Sequence, residues 1–160
     1  EGCIQFLSDD VDAVAIDYVS RPRQSSKDTS GLCRRNNCVA FDWTKGYIAE
    51  FSADGIQLTP TDRPTIVAGL GIHIRGNCPQ TVMSFSHMKI PRHMPTIRFP
   101  KQIMYVRGFN DYNDSRQKKV PTIPVERASA EELEVLRDRF AIDEEAIKRA
   151  VAALDAPDKG

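Results

Sequence analysis

Residues 88–109 read Met88-Lys89-Ile90-Pro91-Arg92-His93-Met94-Pro95-Thr96-Ile97-Arg98-Phe99-Pro100-Lys101-Gln102-Ile103-Met104-Tyr105-Val106-Arg107-Gly108-Phe109. Three prolines and five Lys or Arg residues fall in this stretch, and no carboxylate. Each proline fixes φ and lacks an N–H, which argues against a long helix or a central strand from Pro91 to Pro100. The residue before each proline is pushed towards extended geometry. The stretch reads as an extended basic strap, most strand-like over residues 102–109. Ile90, Met94, Ile97 and Phe99 alternate with the charges and give it apolar anchors. Such a strap lies along its own domain or along a partner.

The strap sits in a longer field of one sign. Between Arg63 and Arg107 there is no acidic residue, against seven basic ones. Residues 1–125 hold 16 Lys and Arg against 12 Asp and Glu, a net +4, and residues 126–160 hold 6 against 10, a net −4. That layout suits an acidic protein surface, phosphate or nucleic acid, or else an acidic tail folded back on the strap.

Upstream of the strap the punctuation is that of short strands. Residues 2–7 are a short strand. Ser8-Asp9-Asp10 has the form of a helix cap, and Val11, Val14, Ala15 and Tyr18 recur at helical spacing, which favours a helix there. The alternation of Val14, Ile16 and Tyr18 favours a strand instead. Residues 22–37 read as a loop, long for a connection inside a compact domain. Residues 38–43 and 47–51 flank Thr44-Lys45-Gly46 as a hairpin would, and Ala53-Asp54-Gly55 is a second turn. Pro60 to Pro64 is a break. Residues 65–75 read as a long strand bent at Gly69 and Gly71. Residues 81–87 alternate as a further strand.

Downstream the periodicity changes. Ser129-Ala130-Glu131-Glu132 is a capping box. Leu133, Leu136 and Phe140 share one helical face, and Asp143 caps a second helix striped by Ile147, Ala150, Val151 and Leu154. The fold class is therefore α+β: a mostly antiparallel β core, sandwich- or barrel-like, with a C-terminal two-helix appendage. The boundaries are a β-rich domain over residues 1–112, a Pro-containing extended linker over 113–128 and a helical hairpin over 129–155. At 160 residues the chain can bury a real core. No apolar run approaches the roughly 20 residues that span a bilayer, and the opening residues show no signal-peptide pattern.

Cys3, Cys33, Cys38 and Cys78 are disulfide candidates whose pairing the sequence leaves open. Cys33–Cys38, alone or with Cys3–Cys78, would pin the long loop. Packing as reduced small hydrophobes is the other reading. The spacings Cys33-x4-Cys38 and His73-x4-Cys78 allow a zinc set, but His73 falls in a strand pattern where zinc knuckles use turns. Cys38 with His73 and Asn77 could be cast as a thiol site, but no helix N-terminus activates the thiol. Asp9, Asp10 and Asp12 could form a magnesium cluster; as acids in a first helical turn they read as capping residues.

The leading functional reading is a non-enzymatic protein-binding or assembly subunit. Arg92, Arg98, Lys101, Tyr105 and Arg107 supply its partner- or anion-binding residues, and the helical pair supplies a second contact. A protein partner within a larger complex is expected, with no catalytic residue, cofactor or metal. The alternative is a nucleic-acid or polyanion binder acting through residues 63–107. A thiol- or zinc-dependent enzyme is the second alternative.

Overall fold

The computed structural model describes residues 2–8, 12–108 and 124–154. Its spine is β3, Cys38–Ser52, which at about 3.3 Å per residue is an unusually long strand. One edge of β3 is lined along its length by β6, Thr96–Gly108, in parallel register. The other edge is shared. β5, Leu70–Arg75, pairs antiparallel with residues 38–42, and β4, Gly55–Asp62, pairs antiparallel with residues 45–52. Shorter strands extend the sheet: β1, Gly2–Phe6, on β5; β2, Asp12–Val14, on β6; and β7, Glu126–Arg127, on β4. This is a mixed seven-stranded sheet with helices at the C-terminal end, so the α+β expectation with a β-rich core holds.

Alternation along β3 splits the core in two. Val39, Phe41 and Trp43 face a cluster with Tyr18, Met104, Val106, Leu136 and Phe140. Cys38 and Ala40 face a second cluster with Leu70, Ile72, Ile74, Ile90 and Met94. A strand buried on both faces carries a continuous apolar run, not an alternating one. The indole of Trp43 stacks on Phe99 at 4.8 Å.

The helices are α1, Ser20–Asp28; α2, Ser30–Arg35; the short α3, Ile90–His93; α4, Ala130–Phe140; and α5, Glu144–Leu154. The C-terminal pair forms as its sequence dictates. The Ser129 hydroxyl accepts from the Glu132 N–H, and the Glu132 carboxylate accepts from the Ser129 N–H. Asp143 accepts from the Ala146 N–H at 2.9 Å. Leu136 and Phe140 enter the same cluster as Trp43, so α4 closes the core. Among the described residues no helix is long and apolar enough to cross a membrane.

Several local expectations give way to tertiary context. The strap carries β6 through Pro100, but residues 96–99 pair with β3 alone; among the described residues β6 has strands on both sides only at Tyr105–Arg107, so no central strand runs from Pro91 to Pro100. Pro91 takes the first turn of α3, where its missing N–H costs nothing. Pro100 falls where the β3–β6 register shifts, between the Trp43–Phe99 and Lys45–Ile103 pairs, so the ladder asks no N–H of it. Pro60 is accommodated in β4 because β7 reaches only Gln57 and Leu58. The expected hairpin at Thr44-Lys45-Gly46 is instead an irregularity inside one continuous strand. Gly46 is needed for packing, not turning: a Cβ there would lie 2.3 Å from the Tyr105 ring. The second expected turn does form, with Ser52 paired to Gly55. Ser20–Asp28 and Ser30–Arg35 are helical where residues 22–37 were expected to be a loop, because Leu32 and Cys33 find a core to pack on. Strand structure begins only at Leu70, after a 3-10 turn over Val67–Gly69, and 3-10 turns replace the strand expected at residues 81–87. The helix favoured from Ser8 is absent at Asp12–Val14, which pair with Arg107, Val106 and Tyr105 as β2. Asp9, Asp10, Val11 and most of the expected linker, residues 113–123, lie outside the described residues.

Candidate functional site

A cavity of about 540 Å³ lies beside β1, β5 and α1. Alternation turns Ile4 and Phe6 of β1 and their neighbour His73 of β5 to one side of the sheet. Arg23, Ser26 and Lys27 enter from α1 and line the same cavity. Spacing of i, i+3 and i+4 puts those three on one helical face. Among the described residues no carboxylate pairs with Arg23 or Lys27. Two exposed cations thus stand at the wall of the cavity with no carboxylate partner among the described residues.

His73 adds an unmet demand. Its Nδ1 is buried and has no hydrogen-bond partner. Burial holds the imidazole below its usual pKa, so it is neutral at physiological pH. A buried ring nitrogen without a partner is costly. Beyond the cavity, Phe6 packs on Tyr18 at 5.0 Å, and Tyr18 packs on Trp43. The Tyr18 hydroxyl is also buried without a partner, and burial pushes its pKa upward.

A second polar centre is structural. Asp42 is buried on β3, continuing the face of Cys38 and Ala40. One carboxylate oxygen accepts from the Thr65 N–H at 2.9 Å and the other from Arg98 Nε at 3.3 Å. Thr65 has φ 59, the left-handed region that a β-branched residue rarely enters. Asp42 therefore fastens a strained turn to the sheet. Burial still raises the Asp42 pKa, although Thr65 and Arg98 pull the other way.

The residues expected to form a basic contact surface differ in exposure and partner. Arg92 on α3 and Lys101 on β6 are exposed. Arg98 turns its charge onto Asp42. Arg107 is half-buried on β6, opposite Asp12 of β2. Tyr105 is fully buried, its ring against Gly46 and Gly69 and its hydroxyl donating to the Thr44 carbonyl at 3.1 Å. The cysteines differ as well. Cys33 packs in α2 with the Trp43 cluster, and Cys3 is exposed on β1. Cys38 and Cys78 bring their sulfurs to 3.8 Å of each other. His73 faces the cavity and Cys78 packs against the opposite cluster, so the two do not converge as the zinc reading required.

Arg23 and Lys27 were overlooked because their segment reads as loop. Their i, i+4 spacing was the available signal. The acidic run also changes meaning. Asp12 lies in a strand, so it does not belong to a first helical turn, and the capping explanation for it falls away.

A family model described as "Putative rhamnosyl transferase" matches residues 1–122. The chain belongs to this family. The matched span takes in β1 to β6, the cavity, Asp42 and the strap, and it ends before α4 and α5. No curated protein and no solved structure matches the chain. Membership of the rhamnosyl transferase family lends no support to the expectation of a non-enzymatic binding subunit.

Proposed function

We propose that this chain acts in glycosyl transfer, moving a rhamnosyl group from a phosphate-activated donor to an acceptor hydroxyl. The observation that carries the reading is the family match over residues 1–122. In such a transfer the bond from the anomeric carbon to the phosphate oxygen breaks, and its electron pair leaves with the phosphate. The acceptor oxygen forms the new bond and gives up its proton. Negative charge thus grows on the leaving phosphate, and fixed cations aimed at it lower the barrier.

The cavity supports the reading on two counts. Its 540 Å³ is within the roughly 300–1,000 Å³ typical of small-molecule sites. Arg23 and Lys27 offer positive charge with no described carboxylate to quench it. Along the chain, β1 runs through Leu7 and Ser8 into Asp9, Asp10 and Asp12. Carboxylate oxygens suit a hard divalent cation, and such an ion, when bound, would neutralise a diphosphate. Of the three, Asp12 is described, half-buried on β2.

The test is to follow nucleotide release from a nucleoside diphosphate-rhamnose, with and without magnesium or manganese. Binding of the nucleoside diphosphate alone is measured by calorimetry in parallel. Turnover by the native protein is expected. The Arg23→Ala/Lys27→Ala pair should raise the donor KM about tenfold or more, since charge-assisted phosphate contacts are the strong ones. A native protein that neither binds nor turns over the donor would overturn the reading.

A further inference from the structure

Cys38 and Cys78 stand 40 positions apart in the chain, yet their sulfurs are 3.8 Å apart, each within reach of the Gln80 side-chain carbonyl at 3.9 and 3.8 Å. Cys38 opens β3 and is held by the ladder to Ile74 of β5. Cys78 lies outside the sheet, just past the end of β5, where its N–H donates to the Arg75 carbonyl. One sulfur is thus fixed by the sheet, and the other sits on a short turn outside the ladder. Closing a disulfide needs the sulfurs to approach to about 2.05 Å, a shift that side-chain rotation and small turn movement can supply. Exposure is graded in the same sense: Cys38 is buried, and Cys78 is only partly so.

We propose that Cys38 and Cys78 are a reversible oxidation site, a dithiol that closes to a disulfide by exchange with a small-molecule disulfide such as oxidised glutathione. The Cys78 thiolate attacks the external disulfide, forming a mixed disulfide and releasing one thiolate. The Cys38 thiol then gives its proton to solvent and attacks the Cys78 sulfur, releasing the second. The two protein thiols lose two electrons and two protons, and the external disulfide gains them as two thiols. Closure ties the turn after β5 to the start of β3. It leaves Cys33, inside α2, and Cys3, exposed on β1, as internal controls. Burial, and then the contact with Cys78, push the Cys38 thiol up to about 11. Cys38 is therefore the slow partner, and closure of the mixed disulfide should quicken as pH rises.

The native protein is incubated with oxidised glutathione, quenched in acid and digested with trypsin. Cleavage after Arg35, Lys45, Arg75 and Lys89 puts Cys38 and Cys78 in separate peptides, residues 36–45 and 76–89. The expected product is these two peptides joined with loss of two hydrogens and restored by dithiothreitol, with closure several-fold faster at pH 9 than at pH 7. In Cys78→Ser the joined peptide should vanish, with Cys38 left as an unmodified thiol. Cys78 carrying glutathione while Cys38 stays a thiol at both pH values would overturn the proposal. So would joining of Cys78 to Cys3 in preference to Cys38. Unfolding in mildly acidic guanidinium with excess N-ethylmaleimide, before the pH is raised for trypsin, with the melting curve checked in parallel, keeps scrambling in unfolded protein from imitating either result.

Discussion

On one face of β3, Val39, Phe41 and Trp43 meet side chains brought from Tyr18 at one end of the described chain and Phe140 near the other. On the opposite face, Cys38 and Ala40 meet Leu70, Ile72, Ile74, Ile90 and Met94, and Asp42 and Thr44 then interrupt the apolar run. The first face is aromatic and collects distant segments. The second is built from smaller residues, mostly within residues 70–94, and admits a carboxylate and a thiol pair. Large apolar area removed from water is the main favourable term in folding, so the aromatic face should carry most of the stability. The opposite face can then hold groups whose burial is a cost.

The most severe way to break that contrast is Trp43→Ala. The side chain is fully buried and touches Tyr18, Phe41 and Phe99. Its removal should cost about 3–5 kcal/mol in urea unfolding. Ile72→Val, on the opposite face, should cost about 0.5–1.5 kcal/mol. Equal losses would show that the faces do not differ as drawn.

Gly46→Ala comes next. The added Cβ would lie 2.3 Å from the Tyr105 ring, and Tyr105 is wedged from the other side by Gly69. Overpacking of this kind costs about 1–3 kcal/mol. A simultaneous Tyr105→Ala should remove the clash, so the double variant should lose less than the sum of the two single losses. Strict additivity in that cycle would mean that Gly46 serves something other than ring clearance.

These two positions also show what the sequence could tell. The C-terminal helices were legible to the capping residue, because Ser129, Glu132 and Asp143 act within a few positions of themselves. The β-rich class was legible from turn residues and alternation. Residues 44–46 were misread, and the place of Pro100 inside β6 was not legible, because both are set by partners far away in the chain. Gly46 answers to Tyr105, and Pro100 answers to a shift in the β3 ladder. The candidate site suffered in the same way. His73 and the Arg23–Lys27 face meet only after α1 folds against β1, and α1 carries Pro22 and three serines that read as loop. What the sequence did offer was the length of that supposed loop, which argued against its own assignment.

Ser129→Ala probes a smaller term. The hydroxyl accepts from the Glu132 N–H, and its loss should cost about 1 kcal/mol. Since α4 covers the aromatic face through Leu136 and Phe140, the same variant should raise hydrogen exchange in α4 more than in α3. Uniform exchange across both helices would mean that α4 does not open separately from the rest of the fold.

The smallest expected effect is a slope, and it belongs to the face that tolerates polar groups. Burial holds the Asp42 carboxyl above its ordinary pKa, against the opposing pull of Thr65 and Arg98. The folded protein therefore binds that proton more tightly than the unfolded chain does. Wherever the folded state holds more protons, stability falls as pH rises. The contribution of Asp42 is thus fully present below the unfolded carboxyl value of about 3.9 and is lost as pH climbs through the folded value. Asp42→Asn removes the titration while keeping an acceptor for the Thr65 N–H. Urea midpoints of both proteins, taken from about pH 4 to about pH 7, isolate the slope. The native protein should compare best with the variant at the acid end and lose ground towards neutrality. A gap that moves the other way would mean that the Arg98 pair outweighs burial. Asp42 would then be a net source of stability at neutral pH, and the face of small residues would be held together by charge.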